Sequence, residues 1–205
     1  YKNLPEDTYN GQYAIWQYSS DGQVDGVNGR VDVNYCYMEF GGSVQPVTPS
    51  VKPAPAEKKD LGQVDITYQA FTTKWWPAVT NKADWAGKGD DVPIKWLAIK
   101  VSKGSIRARV YTQANGWLPY LTFGNSYDLN DKKNGILGDG SEILAVELYY
   151  ITPEGYEYQM VHYRVSVKNN PNFYSEQIDT LTANGADGYA GDKKRFIDKF
   201  QAWIE

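Results

Sequence analysis

Only one cysteine, Cys36, occurs in 205 residues, so no disulfide can form within the chain. It reads as a small buried side chain. Histidine is equally scarce. His162 stands alone in the run "YQMVHYRVSV", where a cross-strand polar residue is a plainer reading than a metal ligand, and no Cys/His cluster supports a zinc site. No metal and no other cofactor is implied. No apolar run approaches the ~20 residues of a membrane-spanning helix, so a membrane is not an expected partner. Net charge is −4 and no Lys/Arg block dominates, which argues against nucleic acid as a partner. Methionine occurs twice, as Met38 and Met160. The chain opens at Tyr1, with no Met and no charged-then-apolar leader, and reads as a piece of something longer.

What is abundant is aromatic: seven Trp and seventeen Tyr, within 15% aromatic residues. Tyrosine on this scale favours strands and contact surfaces over helical bundles. Residues 41–63, "GGSVQPVTPSVKPAPAEKKDLGQ", carry four of the ten prolines and almost no large apolar side chains. Such a stretch cannot bury a core and reads as a semi-rigid spacer. It separates residues 1–40, too few for an ordinary domain without staples, from residues 64–205, a domain-sized unit.

Period-two runs recur through the larger unit: "ITYQAFT", "IKWLAIKV", "IRARVYT", "ILAVELYY" and "YQMVHYRVSV". "VSKGS" and "TPEGY" read as hairpin turns between them. "RFIDKFQAWIE" fits a helix face through Phe196, Ile197, Phe200 and Ile204, or a strand face through Phe196, Phe200, Ala202 and Ile204. A repeat weighs towards strand. "WWPAV" from Trp75 aligns with "WLPYL" from Trp117, and more weakly with "FYSEQI" from Phe173. "WAGKGDDVPIKWLAIKV" aligns without gaps on "YAGDKKRFIDKFQAWIE", setting Trp85 against Tyr189, Gly87 against Gly191 and Ala98 against Ala202. "GILGDGSEILAVELYY" is a middle copy that needs a gap. The expected fold is therefore all-β: three copies of strand, anchor strand, glycine loop and strand. They would close into a pseudo-threefold β-prism or β-trefoil, with an ordinary sandwich as the alternative.

The stretch Trp16-Gln17-Tyr18-Ser19-Ser20, then Gly22, Val24, Gly26-Val27, Gly29 and Val31-Asp32-Val33-Asn34, resembles the C-terminal end of glycoside hydrolase family 25 lysozymes, the muramidases of phage endolysins and bacterial autolysins. The resemblance implies that residues 1–40 are the last part of an α/β barrel, and that Asp32 matches an aspartate lining the active-site groove. The family's Asp-x-Glu acid pair has no counterpart in this chain. Glycoside hydrolysis needs two placed carboxylates, so the chain by itself is not expected to be an enzyme. The Trp anchor, "AG-x-G" and following strand resemble the clostridial hydrophobic-Trp repeats of Gram-positive surface proteins, and the wall-binding domains of endolysins. Together the resemblances imply the cell-wall-targeting portion of a peptidoglycan-degrading endolysin. Its partner would be peptidoglycan or another wall polysaccharide, it would act at the bacterial wall, and a phage source is implied. A lectin-like or oligomerisation module with no enzymatic parent is the alternative.

Sugar-binding surfaces combine flat aromatic faces with side chains that hydrogen-bond hydroxyls. Trp85 and Tyr189 lie in polar glycine loops and are the leading ligand candidates, with Trp76 and Tyr120 behind them. Trp117 and one of Trp75 or Trp76 read as core anchors. Asp84 and Asp187, like Asp90, Asp91 and Asp139, could meet sugar hydroxyls or simply be turn residues. Met38 reads as an apolar residue at a domain end. Alternatively it is an internal translation start, which would release residues 38–205 as a free module able to assemble with the full-length enzyme.

Overall fold

The structure is a computed structural model that describes residues 15–24, 30–36, 58–183 and 186–205. Among them are thirteen strands and no helix, so the fold is all-β. The chain divides into two compact units, Tyr1–Ala54 and Pro55–Glu205. In the first, β1 (Ile15–Gly22) and β2 (Val31–Cys36) pair antiparallel, with register shifts beyond Gln17. Asp32 is exposed on β2. Met38 and residues 41–57 of the expected spacer lie outside the described residues. Residues 59–63 belong to the second unit rather than to a spacer. Lys59 donates its N–H to the Gly155 carbonyl at 2.9 Å, and Glu157 returns one to Lys59 at 2.9 Å. The Gln159 amide reaches the Gly62 carbonyl at 2.8 Å, and Leu61 packs on the core.

The second unit holds three sheets built in one order. In the first, β3 (Ile66–Phe71) lies between the short β4 (Val79–Thr80) and the long β5 (Trp96–Val101). In the second, β6 (Ser105–Thr112) has the short β7 (Gly116–Trp117) and β8 (Leu121–Phe123) on one side and the long β9 (Ile143–Ile151) on the other. In the third, β10 (Val161–Val167) lies between the short β11 (Gln177–Ile178) and the long β13 (Ile197–Ile204). Between them β12 (Ala190–Gly191) pairs with β9 of the second sheet. All these pairings are antiparallel.

Period-two patterning explains which faces turn inward. Ile66, Tyr68 and Ala70 from β3, Ile106, Ala108 and Val110 from β6, and Val161, Tyr163 and Val165 from β10 meet in one core. The buried tyrosines satisfy their hydroxyls locally. Tyr68 Oη is 2.6 Å from the Asn81 carbonyl, and Tyr163 Oη is 2.8 Å from that of Asp179. Asn81 and Asp179 both adopt positive φ, 52° and 43°. Their side chains accept the N–H groups of Ile66 and Val161 respectively. In the second sheet Ala108 and Phe123 take the corresponding register positions, so the ring comes from the short strand instead.

The glycine loops join the sheets in a cycle. Ala86 exchanges two main-chain hydrogen bonds with Phe200 on β13, and Leu137 exchanges two with Leu97 on β5. Ala190 pairs with Val146 on β9. Each is followed by a glycine at positive φ: Gly87 at 113°, Gly138 at 121° and Gly191 at 120°. A Cβ there would lie 2.3–2.4 Å from the carbonyl oxygen of Asp198, Lys95 or Leu144, so no other residue fits. Beside these loops the Ile94 N–H donates to the Ile197 carbonyl, and the Ile143 N–H to that of Ile94.

Three expectations need correction. "VSKGS" and "TPEGY" do not close hairpins, because β5 and β6, like β9 and β10, belong to different sheets. "RFIDKFQAWIE" is strand, but Ile197 replaces Phe196 on the inward face, because the β10–β13 register shifts between Ser166 and Val167. Finally, the ungapped alignment slips by one along the strand. Ala98 pairs with outward Gln69, whereas Ala202 pairs with inward Tyr163, so the two alanines occupy opposite faces.

Candidate functional site

The outward face of the second sheet gathers a set of aromatic and charged side chains. On β6 the alternation that buries Ile106, Ala108 and Val110 sends Arg107, Arg109 and Tyr111 outward. Their neighbours on β9 are Tyr149, Glu147 and Ala145. Arg109 grips Glu147 through Nε at 2.9 Å and Nη2 at 2.7 Å. The Tyr120 hydroxyl donates to the other oxygen of the same carboxylate. The guanidinium of Arg109 lies 4.4 Å from the ring centroids of both Trp117 and Tyr120. Burial, then the hydrogen bond to Glu147 and its negative charge, raise the pKa of Tyr120, so its proton stays on and the donor role holds.

Beyond Trp117 the face continues. Tyr111 and Tyr189 both meet the Trp117 ring edge-on, at 5.5 and 5.8 Å. The Lys193 ammonium stands 3.8 Å over Tyr189 and 5.1 Å from Trp117. Trp117 is half-buried and lies outside the hydrophobic core, as do Trp75 and Trp76. The expectation of core anchors is therefore corrected: these side chains cover outward faces, where Trp75 meets Phe71 edge-on at 5.4 Å. The reason is register, since Trp117 on β7 stands opposite outward Tyr111 and Trp75 bridges outward Phe71.

Of the residues singled out from sequence, Tyr120 and Tyr189 come together on this face with Trp117. Trp85 is 41% exposed and belongs elsewhere, in the loop meeting β13, with Lys199 Nζ 5.1 Å from its ring. Trp76 lies on the first sheet, its Nε1 donating to Thr72 Oγ1 at 2.9 Å. The acidic candidates tie loops together: Asp91, for one, accepts the Asn169 N–H at 2.6 Å. Asp84 accepts the Trp85 N–H at 2.8 Å, and exposed Asp187 donates its N–H to Gln177 at 2.9 Å. Asp139 takes bonds from Thr112 and Asn115 on Oδ2 and from Ser141 on Oδ1. Burial opposes its charge, but those donors hold its carboxyl down at about 2. His162 is a cross-strand residue, stacked on Trp203 at 5.5 Å.

Arg107, Arg109, Lys193 and Glu147 were not singled out by sequence reasoning. The available signal was the alternation Arg-x-Arg-x-Tyr in "IRARVYT", which marks a charged outward stripe. Among the described residues no group of three or more His, Cys, Asp or Glu could hold a metal ion. Neither a protein-family model nor any curated protein or solved structure matches the chain.

Proposed function

We propose that the second unit is a carbohydrate-polymer-binding module that targets a peptidoglycan-degrading enzyme to the Gram-positive cell wall. The observation that carries this reading is the outward face of Tyr120, Trp117, Tyr111 and Tyr189, fastened by Arg109 and Glu147 to a rigid sheet. Ring faces set at fixed positions beside hydrogen-bonding groups bind sugars and polyols with little loss of side-chain freedom. The likeness of residues 16–34 to family 25 lysozymes supplies the enzymatic parent, an α/β barrel of which residues 1–40 are the end. Asp32 alone cannot perform hydrolysis, which needs a second carboxylate, so this chain binds without cleaving.

The reading extends to the architecture. Three sheets of one order, three glycines at matching φ, and loops that each pair with another sheet's long strand favour a pseudo-threefold β-prism of three repeats over a trefoil or a sandwich. The other class, a lectin-like or oligomerisation module without enzymatic parent, draws on the same face.

The test is a pull-down of the full chain, fused to a fluorescent protein, on purified Gram-positive walls. Binding above the fluorescent protein alone, lost on Trp117→Ala with Tyr189→Ala, is the expected result. Equal retention of the fusion and the bare fluorescent protein would sink the proposal. Dimerisation without wall binding would favour the oligomerisation module.

A further inference from the structure

We propose that the outward face of β6 and β9 is a polyanion track that binds a polyol polymer joined by phosphodiesters. The inference rests on the wall-binding reading and names the polymer class within it. The face sets Arg107, Arg109 and Lys193 against one carboxylate, Glu147, in a chain whose net charge is −4. Glu147 is already engaged by Arg109 and Tyr120, so it does not offset the remaining cations. Arg107 is exposed and has no carboxylate partner among the described residues. Its guanidinium is 4.7 Å from the Tyr120 ring centroid and 5.4 Å from that of Tyr149. Lys193 is held over Tyr189 in the same way. A cation resting on a ring keeps its charge and its outward N–H groups, and loses less side-chain freedom when an anion arrives.

The arrangement is a row rather than a point. Arg107 and Arg109 stand two residues apart on one strand, about 7 Å. The row passes Tyr111 to Gln113, just past the strand end, where a cavity of about 330 Å³ is lined by Lys168, Lys194 and Arg195, with Glu142 also in the lining and Arg195 paired to Asp192 at 2.8 Å. From Arg107 to Gln113 is about 20 Å along the strand. Cations repeated over that length fit a chain charged at every repeat, not a neutral glycan or a single terminal anion. A guanidinium fork matches phosphate oxygens, and short polyols bring successive phosphates close enough to follow a strand's pleat. The aromatic rings between the cations receive the apolar faces of the polyol.

The experiment uses the full chain in titration calorimetry against poly(glycerol phosphate), polygalacturonate and a neutral glucan, and in pull-downs on walls before and after hydrofluoric acid removes phosphodiester-linked polymers. The expected result is preference for poly(glycerol phosphate), with binding that weakens steeply from about 50 to about 500 mM NaCl. Arg107→Ala with Lys193→Ala should weaken it about tenfold without lowering the melting temperature. If that double variant melts early, Arg107→Gln alone, at an exposed position, is the informative change. Preference for polygalacturonate, salt-independent binding, or equal retention on treated and untreated walls overturns the track. Of these, equal retention leaves the wall-binding reading standing. Binding to the soluble phosphate polymer with no wall retention keeps the track and removes the wall reading instead.

Discussion

Trp117 separates the stability a side chain supplies from the role proposed for it in binding. Half-buried on an outward face, it shields less apolar area than a core aromatic. Trp117→Ala should therefore lower stability by about 1–2 kcal/mol rather than the 3–5 kcal/mol of a core truncation. It should also scatter Arg109, Tyr111 and Tyr189, all packed on its ring. Trp85→Ala, in a loop away from that face, should cost under about 1 kcal/mol and leave wall binding within about twofold. Thermal melts and wall pull-downs of the two variants check this. Deep destabilisation by Trp85→Ala would place that residue in a packing role instead.

At the scale of elements, the long strands were legible because period-two patterning over six to nine residues has few competing explanations. The tryptophans read as core anchors lie outside the core, though the strand register around them follows the alignment. Val79 and Gln177 stand opposite Tyr68 and Tyr163, in the register that aligning Trp75 with Phe173 requires. Connections were not legible. A glycine turn between two strand patterns looks the same whether the strands pair or part company, and only tertiary packing decides. The shift between Ser166 and Val167 has no sequence mark, so the ungapped alignment ran one residue out. The outward face of β6 and β9 was hidden for a related reason: Arg109 and Glu147 are 38 positions apart, and only strand pairing makes them neighbours. What local sequence did mark was the glycine of each loop. Gly191→Ala should cost about 3 kcal/mol or more, since a Cβ would meet the Leu144 carbonyl at 2.4 Å at a φ of 120°. Gly155→Ala is the control. Its φ of 82° is also positive, but nothing lies within 4 Å, and about 1–2 kcal/mol is expected. Denaturant melts of both decide whether close approach or backbone conformation dominates.

For the molecule as a whole, acid is the expected weakness. Burial opposes the charge on Asp139 and Asp192, yet hydrogen bonds hold both carboxyls below their usual range. A carboxylate lowered in the folded state stabilises fully above its unfolded pKa of about 4 and loses that contribution as pH falls through the folded value. For Asp139 the window runs from about pH 4 down to about 2. Asp139→Asn should thus melt below wild type at pH 6, and the gap should narrow as pH drops to 2. A gap constant across that range would remove Asp139 from the acid response. Lys59 bonds to Gly155 and Glu157, while Glu205 exchanges two main-chain bonds with Met160 a few residues further on. Lys59 and Glu205 are thus stitched to one short stretch, residues 155–160. Tension arriving at Lys59 is delivered to a stretch that main-chain bonds also tie to Glu205, so several bonds share the load and no lone outer strand is peeled away.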